Sequence, residues 1–170
     1  MQQADPTTIL DVLAEQQARR GPAPAILAPG RDPLSYVALY QQIDRIGSIF
    51  ATIGLGRDSR IALSLADGPE SGVTMLATMI WATAAPLGAG LDADTYTDLL
   101  GRLRIDAVIV QDEERSPVAR AASALRIPLV HVSSHPGDAA GVVRLSSSAA
   151  ARAPAARVRH WDDLRPCRRS

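Results

Sequence analysis

The sequence predicts an α/β domain in which a mostly parallel sheet is flanked by helices. Three observations carry this. Residues 59–65 (SRIALSL), 84–87 (APL after Ala84), 107–110 (AVIV) and 128–132 (PLVHV) are short, nearly continuous apolar runs, as expected of strands buried on both faces. The stretches between them carry apolar residues at three- and four-residue steps, the helical period. The two kinds of segment alternate from Leu55 to Val132. That order implies parallel strands joined by right-handed helical crossovers.

Each element has a local cause. Asp5-Pro6 offers an N-cap acceptor followed by Pro in the first turn, and Ile9, Leu10, Leu13 and Gln17 follow on one face until Gly21-Pro22. Residues 25–28 read as a strand, 29–32 (PGRD) as a turn, and Leu34-Ser35-Tyr36 as the partner strand. Leu39, Ile43, Ile46, Phe50 and Ile53 form one apolar stripe that Gly54-Leu55-Gly56 ends. The run 59–65 is a buried strand, and Asp67-Gly68-Pro69-Glu70 turns into a helix carrying Val73, Leu76, Ala77, Ile80 and Trp81. Pro86 confines the strand at 84–87 to a sheet edge or a strand end. A helix over 94–103 places Tyr96, Leu99, Leu100 and Leu103 inward. The strand 107–110, a helix over 117–126 and the strand 128–132 complete the series. No internal repeat is evident. The domain is expected over 5–132, with a short strand at 141–145 as its possible extension and a Ser/Ala/Pro/Arg-rich linker or tail over 133–170.

Composition limits function. The chain has 170 residues, 46% apolar and 21% charged, which suits one globular domain. Its formal net charge is zero, so no global field points to nucleic acid or a membrane surface. All 18 basic residues are Arg. Without Lys, a Schiff base or a phosphate-loop Lys has no residue to supply it. The single Cys167 excludes an internal disulfide and a Cys-rich zinc site. It fits a reducing compartment, and with no signal-peptide pattern at the start the expected location is cytoplasmic. The longest apolar stretch, 72–90, is interrupted by Thr74, Thr78, Thr83, Pro86 and Gly88, and does not read as a membrane span.

Candidate sites are few. Gly88, Gly90 and Ala93 follow a strand and open a helix, and Asp112 follows the next strand. This imitates a dinucleotide loop, in which glycines let backbone amides approach a pyrophosphate at a helix N-terminus. Against it stand Pro86 within the strand and Asp92 and Asp94 where the anion would lie. The other reading is a plain turn with Asp92 or Asp94 capping the helix. His131 reads as a structural, half-buried side chain, His135 and His160 as solvated. Cys167 has Arg165, Arg168 and Arg169 nearby but no base. Asp112-Glu113-Glu114 suits a helix start electrostatically. Neither G-x-S-x-G nor G-x-x-x-x-G-K-[ST] occurs. From Arg144 onward seven Arg face two Asp, which reads as a solvated tail. No catalytic residue and no metal ligand emerges.

The order of segments resembles the front of the adenylate-forming, AMP-binding superfamily: acyl-CoA synthetases and the adenylation domains of peptide synthetases. Leu34-Ser35-Tyr36-Val37-Ala38-Leu39 is similar to its L-[TS]-Y-x-E-L segment, and residues 54–63 (GLGRDSRIAL) to LGV-x-x-GDRVAL. Residues 66–70 (ADGPE) are similar to PN[GS]PE, 82–87 (ATAAPL) to AGA-x-x-[VA]PL, and 99–110 (LLGRLRIDAVIV) to the helix and strand that follow. The wording is nearest to short-chain acyl- or oxalyl-type CoA synthetases. Gly88-Ala89-Gly90 departs from the family's Asn-Pro or Asp-Pro turn.

The resemblance implies the first part of the large N-terminal domain of acyl-activating enzymes. There this stretch is scaffold. The ATP phosphates are held by a later [ST]-SGTTG-x-P-K loop, the ribose by a later Asp, and a catalytic Lys lies near the C-terminus. Trp161-Asp162-Asp163-Leu164 stands about where the family approaches its phosphate loop. The implied function is a fragment or split subunit of an AMP-forming ligase, which converts carboxylate and ATP to acyl-adenylate and then to acyl-CoA. It should be inactive alone, with ATP, Mg and CoA used only by a complete enzyme. Its implied partner is the remaining C-terminal part or a self-associating copy. A non-catalytic interaction module of the same descent and a small dinucleotide-binding protein remain the alternatives.

Overall fold

The computed structural model describes residues 8–111 and 116–147. Helix α1 (Ile9–Arg20) leads into a hairpin of β1 (Pro24–Ile26) and β2 (Leu34–Ser35), then α2 (Tyr36–Thr52). There follow β3 (Arg60–Ser64), α3 (Pro69–Trp81), β4 (Thr83–Pro86), α4 (Ala93–Leu103), β5 (Ala107–Gln111), α5 (Pro117–Ala124), β6 (Leu129–Ser133) and β7 (Arg144–Ser147). The five-stranded sheet has the order β4-β3-β5-β6-β7. Its first four strands are parallel, and β7 closes one edge antiparallel to β6. The α/β fold with a mostly parallel sheet is therefore the one the sequence predicts.

Strand period and crossover hand fix the layers. Ile61 and Leu63 of β3, Ile109 of β5 and Val130 and Val132 of β6 face α1, α2 and α3. Ala62, Val108 and Val110 face α4 and α5 on the other side. The step from β3 to β4 runs one way along the sheet, and the steps from β4 to β5 to β6 run the other way. Crossovers of a single hand then need α3 on one face and α4 and α5 on the opposite face. That is the observed division.

Side-chain caps start most helices. Ser35, Asp92 and Ser116 accept from the backbone three residues on. Asp5-Pro6 lies outside the described residues, and α1 opens instead at Thr8. The Thr8 hydroxyl accepts from Asp11 N at 3.1 Å, and the Asp11 carboxylate accepts from Thr8 N at 3.0 Å. This reciprocal pair satisfies two orphan donors at once, and Asp stands where Glu is the usual signal. The second strand of the hairpin is shorter than expected, because Ser35 already caps α2 at Tyr36. Leu103 was expected inward but is 40% exposed; it sits in the last turn of α4, where Arg104 leads the chain away to β5. Pro86 ends β4, the outer parallel strand, as its missing N–H requires.

Packing continues past Val132. Ala140 and Val143 are fully buried, and the last strand falls at 144–147 and not at 141–145. The composition of residues 134–142 looks like a linker, yet side chains from distant elements satisfy their backbone groups. No helix among the described residues is long and apolar enough to cross a membrane.

Candidate functional site

In a parallel sheet, strands whose following helices leave to opposite faces open a crevice at their carboxyl ends. Here β3 feeds α3 on one face, and its neighbour β5 feeds α5 on the other. A cleft of about 630 Å³ lies at this switch point. Ser64 and Leu65 border it from the end of β3, and Gln111 from the end of β5. Gly90 comes from the β4–α4 connection, Tyr96 from the first turn of α4, and Ser116 from the start of α5.

The polar groups here are largely committed. Tyr96 donates its hydroxyl to the Gly88 carbonyl at 2.7 Å, pinning the loop to α4. Asp92 accepts from Thr95 N at 2.8 Å and from the Thr95 hydroxyl at 3.1 Å. These bonds hold its carboxyl below the usual carboxylate range, the backbone bond from Thr95 most of all. The N-terminus of α4 thus already carries an anion of its own. Ser116 likewise caps α5, and Pro117 removes one amide there. Among the described lining residues none is charged.

Of the predicted loop residues Gly90 lines this cleft, Gly88 and Ala93 flank it in the β4–α4 connection and the first position of α4, and Asp112 lies outside the described residues. Gly90 has φ +79°, and a Cβ on either glycine would meet open space. These glycines shape a turn with no tight approach behind them, and the Asp92 carboxylate already takes the Thr95 amide at the helix start. The described residues of the cleft do not fit a triphosphate with its metal: no cation lines it, and no group of three His, Cys, Asp or Glu is placed to hold a metal among the described residues.

His131 sits on β6 opposite Val110 and Ser146, half-buried. His135 is exposed, and its N–H donates to Asp138. Cys167, His160, Asp112-Glu113-Glu114 and the Arg-rich stretch from 148 onward lie outside the described residues. The sequence reading missed a polar cluster away from the cleft: Arg31, Gln42 and Glu70 on the segment 138–143. Its one sequence signal is an acidic residue in the first turn of a helix whose N-cap, Gly68, has no side chain to cap with.

The profile of the AMP-binding enzyme family matches residues 13–166. The chain belongs to that family. Its fold is that of acyl-CoA ligase N-terminal domains. A benzoate CoA ligase from Burkholderia xenovorans superposes with a TM-score of 0.60 at 20% identity, over 68% of this chain and 24% of that one. Apo MatB from Rhodopseudomonas palustris gives 0.64 at 18% identity, over 73% and 25%. The N-terminal domain of FACL13 from Mycobacterium tuberculosis gives 0.60 at 19% identity, over 71% and 30%. The chain thus spans between about a quarter and a third of the length of these structures. No curated protein matches it.

Proposed function

We propose that this chain supplies the front scaffold of an AMP-forming acid-activating ligase and does not activate acids by itself. In the complete reaction a carboxylate and ATP give an acyl-adenylate and pyrophosphate, and the acyl group then passes to CoA. Charge builds on phosphate oxygens in that step, and its stabilisation needs cations and aligned donors. The observation that carries the proposal is the chemistry of the switch-point cleft. It lies where α/β folds place ligands, yet its described lining holds no charged side chain, and the sequence contains no Lys. ATP, Mg and CoA therefore belong to the assembled enzyme, with the partner supplying the phosphate-binding residues.

ATP–pyrophosphate exchange over a panel of short and aromatic acids tests the reading. The expected result for the chain alone is no exchange above background. Acid-dependent exchange by the chain alone would overturn it.

A second reading, an interaction module of the same descent, is favoured by apolar side chains left on the surface. Leu27 just past β1 is 72% exposed, and Met79 on α3 is 52% exposed. Concentration-dependent self-association without any gain of exchange activity on adding the rest of the enzyme supports that module.

A further inference from the structure

Residues 138–147 return the chain from β6 to the sheet edge, where Val143 joins the core and Ala139, Val142 and Leu145 pack against it, and polar ties add to that packing. Ala140 and Val143 are their fully buried apolar side chains, and β7 itself alternates exposed and half-buried positions. Arg31 donates from Nε and Nη2 to the Asp138 carbonyl at 3.2 and 3.1 Å, and from Nη2 to the Ala139 carbonyl at 3.1 Å. Glu70, ion-paired with Arg31 through Nη1, accepts from Gly141 N at 3.2 Å. Gln42 donates from Nε2 to the Val143 carbonyl at 2.8 Å. The Asp32 carbonyl accepts from Ala140 N at 2.8 Å.

The side chains come from the hairpin loop, α2 and α3, and they meet one short segment far along the chain. Gly141 lets the segment sit close: its φ is +83°, and a Cβ there would fall 2.7 Å from Val73. Such a network is close to all-or-none. Neutralising Glu70 leaves the half-buried Arg31 guanidinium without its counter-charge and weakens the bond from Gly141 together with it.

We propose that Arg31, Gln42 and Glu70 form a releasable clasp, and that residues 138–147 are a strap that opens as one unit. Opening breaks a single ladder, β6 with β7, and bares the outer edge of β6. The parallel ladders of β4, β3, β5 and β6, with their helices on both faces, stay intact. This inference stands independently of the ligase reading.

Hydrogen exchange read by mass spectrometry on Glu70→Gln tests it. Amides of 138–147 should exchange roughly tenfold faster or more, as expected for loss of a charge-assisted tie in a locally opening unit, while β3, β5 and α4 keep their protection. Gly47→Ala, which strains the α2–α3 contact, is the reference for loosening centred elsewhere. Equal acceleration across the whole sheet, or unchanged exchange at 138–147, would overturn the proposal. Gln42→Met removes only the tie to Val143 and gives the same reading if Glu70→Gln does not fold: faster exchange confined to 138–147 supports the strap, and a uniform or absent change overturns it.

Discussion

Gly47 shows how much a single missing atom can decide. A methyl group there would lie 2.4 Å from the Trp81 indole, whose Nε1 donates to the Ile43 carbonyl at 3.0 Å. Gly47→Ala must push the ring off this bond or part the helices. We expect a loss of about 1–3 kcal/mol, read as a lower denaturation midpoint with a shifted Trp81 emission. In the sequence Gly47 is only a small residue beside Ile46; its partner lies in the next helix, beyond the reach of any local pattern. Asp138 was equally silent, because a turn-like Gly-Asp pair gave no hint of Arg144 across it. The Arg144 guanidinium, then the His135 amide, hold the Asp138 carboxyl far below its ordinary value of 3.8. A depressed carboxyl stabilises the fold above its unfolded value, and that contribution is lost as pH falls through the folded one. Asp138→Asn should therefore be less stable than the parent at neutral pH, with the gap closing in strong acid. Urea titrations at the two pH extremes measure it, and a gap that is constant or widens in acid contradicts the assignment.

The helices and strands themselves were largely legible, because the buried strands are continuous apolar runs and the helices keep a helical stripe. Less visible was a corner used twice. Leu103-Arg104-Ile105 and Leu125-Arg126-Ile127 each lead from a helix into a strand. In both, the Arg takes positive φ, 52° and 57°. The following Ile N–H reaches back to the helix, from Ile105 to the Leu100 carbonyl at 3.1 Å and from Ile127 to the Ala122 carbonyl at 2.8 Å. This helix end normally takes Gly, and an Arg in the left-handed region costs about 1–2 kcal/mol. The higher chain entropy of Gly in the unfolded state offsets part of that. Arg104→Gly and Arg126→Gly should each raise stability by up to about 1 kcal/mol, seen as higher melting temperatures; lower ones would show that the side chains bear on folding. Three shared residues are too few to stand out as a repeat. Beyond Val132 the sequence suggests only a short strand at 141–145, because the small and polar residues there resemble a linker; distant side chains turn them into packed structure, with the strand at 144–147.

At the scale of the molecule, strand order and the switch point follow from alternation and crossover hand, which makes the scaffold readable from one sequence. The chemistry is not readable in the same way. Of Gly88, Gly90 and Ala93 only Gly90 lines the cleft, Asp92 caps the helix there, and no cation lines the described walls. On the proposed reading, the catalytic chemistry comes from residues that join this scaffold in an assembled enzyme. The most direct measurement is ATP–pyrophosphate exchange by this chain mixed with a separately produced polypeptide carrying the family's phosphate loop and C-terminal part. The account predicts exchange from the mixture, in step with formation of a one-to-one complex, and none from this chain alone. Exchange by this chain alone, or a stoichiometric complex without exchange on any acid, would contradict it.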